Sequence, residues 1–235
     1  MKQFSNLYIF CFSSVLVLLV ALILSFTSLV LEDKQKENIE IERKQQILAA
    51  LGVTSTRSDV LSKYKEYIKQ GIVIRSDGTI VEGESANDID LKIENRKDPE
   101  DRLLPLYIAE IEGDSLVIIP LRGAGLWGPM WGNVALEKDM STIRGVSVDH
   151  AGETPGLGAE INTADYQKRF FKKKIFDEAN RFISIKVEKP GTHNTPEIHR
   201  VDGISGGTIT SKALEAMIHD SLEPYKTYFS QHKSN

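Results

Sequence analysis

The chain has 235 residues and a formal charge of −4, enough for one sizeable core with appendages and without the basic footprint of a polyanion binder. No arginine-rich helix or aromatic–basic array accompanies that charge, so nucleic acid is excluded as an expected partner. A single cysteine, Cys11, rules out an internal disulfide and a cysteine-built metal site.

Cys11 lies in the run Leu7–Leu31, 25 residues without a charge. A helix of that length crosses a hydrocarbon core of about 30 Å. A cleavable signal peptide would have a shorter apolar region, roughly 7–15 residues, ending in a small-residue cleavage site, and no A-x-A pattern follows here. The run is therefore expected to be an uncleaved membrane anchor over 1–31. Lys2 precedes it, whereas Lys34, Lys36, Arg43 and Lys44 follow it, which by charge count alone would place the remainder in the cytoplasm. Long domains translocate largely regardless of charge, so the side stays open at this point.

Beyond Leu31 the composition turns charged, and helix formers run to Leu51 with Gly52 as a stop, which predicts a juxtamembrane helix and linker over 32–56. Val60, Leu61, Tyr64 and Ile68 share a face of a second helix from Ser58 to Gly71. Strand texture follows. Ile72–Arg75 and Thr79–Val81 flank a Ser-Asp-Gly turn, and residues 83–102 read as a polar loop with room for one short strand. Leu106–Ile111 and Ser115–Pro120, joined by Glu112-Gly113-Asp114, give a strong hairpin signal. Further strands are expected at Asn133–Glu137, Ile143–Val148 and Phe182–Val187, with helical spacing at Ala164–Phe171. Close strands with tight turns favour antiparallel pairing. The expected fold is α+β: a single N-terminal transmembrane helix, then one soluble domain over 57–235 with a mainly antiparallel sheet and flanking helices.

Three segments carry potential chemistry. Arg122–Gly132 holds four glycines and two tryptophans, which resist regular structure yet offer apolar surface against which a planar ring can lie. The plainer alternative is a bulged strand whose tryptophans fill the core. His150–Ile161, rich in Pro and Gly, is a tight loop after a strand, a common place for ligand contacts. His150 beside a nearby acid is more often structural than catalytic, and His193, His199, His219 and His232 lack metal-ligand spacing. The third segment, Asp202–Ser211, has three glycines and four hydroxyls ahead of a helical pattern at Lys212–Glu223. Its turn and helix start suit a phosphate, although by itself it also reads as a plain capped helix with Thr210 or Ser211 as N-cap. The final helix places Leu214, Met217, Ile218 and Leu222 on one face, expected in the core. No paired acid–base catalysts are evident, so acid–base catalysis is not expected; the G-x-G-x-x-G at Gly123–Gly128 leads into strand texture rather than a helix, so no dinucleotide site is expected.

Taken together, GLWGPMWGNVALEKDMSTIRG, HAGETPGLGAEI and DGISGGTITS closely resemble the NqrC family, the C subunits of the sodium-translocating NADH:quinone oxidoreductase, over nearly the whole chain. The resemblance implies an FMN-binding domain whose FMN is joined through its phosphate to a threonine. The family's attachment string, Ser/Thr-Gly-Ala-Thr, falls on Ser205, Gly206, Gly207 and Thr208, with Thr208 as the carrier. Gly207 stands where alanine is usual, a departure that removes one methyl and loosens the turn. By the same resemblance Gly125, Leu126 and Trp127 line the flavin. Glu153, Thr154, Gly156 and Leu157 contact its ring or ribityl chain, and Lys212 offsets phosphate charge. The implied activity is electron relay within a six-subunit, sodium-exporting NADH:quinone reductase of the bacterial inner membrane. The soluble domain would lie on the periplasmic side, and a flavin transferase would act as a further partner. The G subunit of the Rnf-type ferredoxin:NAD oxidoreductase shares two of the three segments, but the tryptophan-bearing one argues against it. A membrane-tethered module without cofactor is the alternative from another class.

Overall fold

A computed structural model describes residues 5–192 and 194–233; Lys2 and His193 lie outside them. The chain forms two compact units, Met1–Arg43 and Lys44–Asn235. Helix α1, Asn6–Ala50, is continuous through the expected anchor and the juxtamembrane stretch, and Gly52 at φ +81° ends it. Its apolar window has no buried residue, and among the described residues it is the one helix long and apolar enough to cross a membrane. The last turns of α1 belong to the second unit, where Ile47, Leu48 and Ala50 are buried.

In the second unit helix α2 spans Val60–Tyr67, and strand β1, Ile68–Ile74, begins at the next residue. The expected helix to Gly71 is therefore too long, because Ile68–Ile74 pairs with the following strand along its whole length. Leu61 is exposed as well, while Val60 is fully buried, so the apolar face is narrower than its periodicity suggests. Residues 83–102 form a helical turn, α3 at Leu91–Glu94, and a 3-10 turn at Pro99–Asp101, with no strand. The side chain of Asp90 accepts the Lys92 N–H and starts α3.

Strands β2 (Leu104–Ile111) and β3 (Asp114–Ala124) pair through a two-residue turn in which Glu112 (φ +54°) and Gly113 (φ +90°) both adopt left-handed backbone. That turn matches the twist of the flanking strands. β4 (Pro129–Leu136) and β5 (Ile143–His150) complete a five-stranded antiparallel meander in the order β1-β2-β3-β4-β5. The Gly-Trp segment is thus more regular than expected: Arg122–Ala124 ends β3, Pro129–Gly132 begins β4, and only residues 125–128 turn between them. Helix α4 (Ala164–Gln167) follows the Pro-Gly loop. The expected strand at Phe182–Val187 shrinks to an isolated bridge, Phe176 to Phe182, and to β6 (Lys186–Glu188), which pairs in parallel with β7 (Arg200–Asp202).

Helix α5, Thr208–Leu222, packs mainly on β3, and α6 (Lys226–His232) follows after a 3-10 turn. Leu214, Met217, Ile218 and Leu222 are all buried in the core with Ile119, Leu121, Val134 and Phe229, as the helical periodicity predicts. Burial of each such side chain contributes roughly 1.5–3 kcal/mol, which is what holds α5 on the sheet. The helix starts four residues earlier than the pattern Lys212–Glu223 suggests, and Gly207, not Thr210 or Ser211, is its N-cap. Both hydroxyls point elsewhere. Ser211 Oγ accepts the N–H of Ile204 at 2.9 Å, folding the glycine-rich turn back onto the helix.

Candidate functional site

Three loops meet at the start of α5. The turn at 125–128 is closed by Gly125 N–H donating to Gly128 O at 2.7 Å. The Pro-Gly loop leaves β5 at His150 and closes on itself, with the N–H groups of Leu157 and Ala159 both donating to Thr154 O at 3.1 Å. The glycine-rich turn leaves β7 at Asp202, passes Gly206 in left-handed backbone at φ +76°, and enters α5 at Thr208.

Between them lies a cleft of about 250 Å³, lined among others by Leu126, Glu153, Thr154, Leu157, Gly207 and Thr208. Residues far apart in sequence, predicted as one site, are thus brought to one place. Thr208 is exposed at the first helical position and lines the cleft, with the helix's first N–H groups beside it. Those first N–H groups have no intrahelical acceptor, so a negative group is stabilised there. A second depression of about 270 Å³ on the other side of Thr208 is lined by Ser205, Gly206 and Lys212 together with Lys189 and Pro190. Lys212 Nζ meets Glu215 Oε2 at 2.8 Å, so its charge is shared with an acid of its own helix. Gly125, Trp127 and Gly156 do not line either cavity. Trp127 stands 67% exposed beside the cleft, so it does not fill the core.

Glu153 lines the cleft yet is almost wholly enclosed. Only 4% exposed, its carboxylate accepts Thr210 Oγ1–H at 2.5 Å and the Trp127 N–H at 3.0 Å. Its own N–H donates to His150 Nδ1 at 3.2 Å, which gives His150 a structural role. Burial pushes the Glu153 pKa up, but hydrogen bonds from Thr210 and from the N–H groups of Trp127 and Leu126 outweigh it, with His150 assisting, and hold it below the usual carboxylate range. The carboxylate is therefore an ionised tie between loops.

Sequence reasoning did not single out Gly158 and Ile209, both of which line the cleft. Ile209 is 61% exposed at a helix start, and an apolar residue flanked by threonines was the available signal. Together Leu126, Leu157 and Ile209 give the cleft an exposed apolar rim. Such a rim suits a planar heterocycle, and the helix start suits a phosphate, so the residues present fit FMN.

Residues 125–223, which hold all three loops, match the FMN-binding domain family and so make this an FMN-binding-domain protein. The chain is similar to the C subunit of the Na(+)-translocating NADH-quinone reductase of Vibrio vulnificus (strain YJ016), 32% identical over 215 residues that cover 84% of this chain and 83% of the relative. The corresponding protein of Neisseria meningitidis is 31% identical over 203 residues, covering 79% and 76%. Among solved structures, the C subunit from Parabacteroides distasonis superposes with a TM-score of 0.78 at 38% identity, covering 85% of this chain and 97% of that one. Shewanella oneidensis NqrC gives 0.69 at 26% identity, covering 83% and 97%. The chain belongs to the NqrC family, the C subunits of the Na(+)-translocating NADH-quinone reductase.

Proposed function

We propose that this chain is the membrane-anchored flavoprotein subunit of a sodium-exporting NADH:quinone reductase and that it carries FMN as a phosphoester on Thr208. The observation that carries the assignment is the contrast between two hydroxyls: Thr208 is exposed on the cleft, whereas Thr210 is 2% exposed and donates to Glu153. FMN supplies reversible electron transfer when bound. The protein contributes position and electrostatics. The α5 N–H groups and Lys212 oppose the phosphate charge, and Leu126, Leu157 and Ile209 present an apolar wall to the ring. Glu153 and Thr154 frame the cleft, while Ser205, Gly206 and Gly207 shape the turn that a flavin transferase must recognise. Within the reductase the domain relays electrons between partner subunits and has no NADH site of its own. The domain divisions follow from the same reading: an anchor over 1–31, a linker over 32–56, and a flavin domain over 57–235 on the periplasmic face of the inner membrane.

Coexpression with a flavin transferase tests this directly. Intact mass should rise by one flavin mononucleotide, and peptide mapping should place it on Thr208. Thr208→Ala should abolish the added mass and Thr210→Ala should keep it. Attachment that survives Thr208→Ala would refute the assignment.

A further inference from the structure

The carboxylate of Glu153 ties together two elements of the site. Its Oε2 accepts the Thr210 hydroxyl of α5, and its Oε1 accepts the Trp127 N–H of the β3–β4 turn. The N–H of Leu126 is directed to the same carboxylate. Two glycines make room for it. A side chain on Gly125 would collide with Glu153 Oε1, and one on Gly158 would lie 2.7 Å from Glu153 Oε2 and collide with Thr210 Oγ1. Buried carboxylates need such charge-assisted partners, and removing one partner strands the other.

We infer that Glu153 is a positioning residue of the cleft: its carboxylate latches the Leu126–Trp127 turn to the first turn of α5, and so fixes the apolar wall relative to Thr208. The turn has little burial of its own to hold it. Leu126 and Trp127 are both largely exposed, and the internal backbone bond of the turn joins Gly125 to Gly128 without engaging either. The latch also occupies the Thr210 hydroxyl, so of the two threonines it leaves only Thr208 open. Its consequence for a flavin rests on the function proposed above; the latch itself does not.

The test uses the full-length chain coexpressed with a flavin transferase, comparing Glu153→Ala, Glu153→Gln and Thr210→Val. Hydrogen exchange is read at 126–127 and in the first turn of α5, and flavin fluorescence and intact mass are read on the same samples. In Glu153→Ala the amides of Leu126 and Trp127 should exchange at least about tenfold faster, because local opening loses its tie. Flavin fluorescence should shift while the flavin mass is kept. Glu153→Gln should return the Trp127 amide to within about threefold of the unsubstituted chain, since the carboxamide oxygen still accepts it. Thr210→Val should speed exchange at both ends of the latch. Unchanged exchange and fluorescence in a folded Glu153→Ala protein would overturn the inference. Should that variant not fold, unchanged exchange in the nearly isosteric Thr210→Val would overturn it instead. An unsubstituted chain without flavin mass would defeat the flavin reading and leave the exchange comparison to judge the latch alone.

Discussion

Thr208 and Thr210 differ in fate because α5 begins at Thr208. Two helical steps turn the chain through about 200°, so one hydroxyl faces out and the other in. The motif identifies a hydroxyl-rich helix start, but the helix phase decides which hydroxyl is reachable, and that phase depends on Gly207 being the cap. Thr210→Ala should therefore cost stability without costing attachment: it leaves Glu153 Oε2 buried and short of a partner, a loss of about 1–3 kcal/mol. A thermal melt of the variant beside its flavin mass would show both effects. Gly207 tests the opposite kind of change. Its φ of −107° is open to any residue, but a methyl there would stand 3.1 Å from Ile204 Cγ2 and 3.4 Å from Gly158 N. Gly207→Ala should lose about 1 kcal/mol through that crowding and keep its flavin, since alanine is usual at this position of the attachment string. A loss of attachment in a stable Gly207→Ala protein would show that the transferase reads the turn's flexibility.

Elements were most legible where two signals agreed. The Glu112-Gly113 turn between β-branched runs announces its hairpin, and the apolar face of α5 announces its burial. Where one signal stood alone, tertiary contacts overrode it. The helical spacing through Ile68 gave way to pairing with β2, and Gly123, Trp131 and Gly132 were absorbed into β3 and β4 while Gly125, Trp127 and Gly128 stayed in the turn. The reason lies partly in Gly123, whose role is visible only in three dimensions. A Cβ there would lie 2.7 Å from Met217 Cβ and 3.3 Å from Met217 Cα, so this glycine sets how closely α5 approaches β3. Met217, 2% exposed, should lose about 2–5 kcal/mol as Met217→Ala. Gly123→Ala should destabilise too, and Met217→Ala should not fully rescue it, because alanine removes the Cγ at 2.8 Å but retains the Cβ at 2.7 Å and the Cα at 3.3 Å. Denaturant unfolding of the two single variants and the double variant would measure this; a double variant no less stable than Met217→Ala alone would mean that the helix can shift.

At the scale of the molecule, the apolar run and the α+β domain were readable from hydropathy and strand texture, because both depend on local pattern. The convergence of 125–128, 153–158 and 205–210 was not readable that way; it needed a family resemblance, since no spacing rule links loops from three parts of a sheet. What the assembled domain does reveal is a set of inward-facing acids whose hydrogen bonds outweigh their burial. For Asp139 burial raises the pKa, and the Thr142 hydroxyl with the Thr142 and Ser141 N–H groups lowers it further than that. For Glu215 burial is likewise outweighed by Lys212 and the Val187 N–H, and Glu153 follows the same pattern. All three folded values lie below the ordinary 3.8 of an Asp or 4.5 of a Glu. A lowered folded pKa means that the unfolded chain binds the proton more readily. Their contribution is therefore complete above the ordinary values and is lost as pH falls through the folded ones. The flavin-free domain should keep a level melting midpoint above the ordinary carboxylate values and lose it steadily as the pH falls below them. Glu153→Gln, which cannot titrate, should flatten part of that slope while lowering the plateau. An acid limb identical in the variant would show that Glu153 contributes nothing to it, and that the latch holds by geometry rather than by charge.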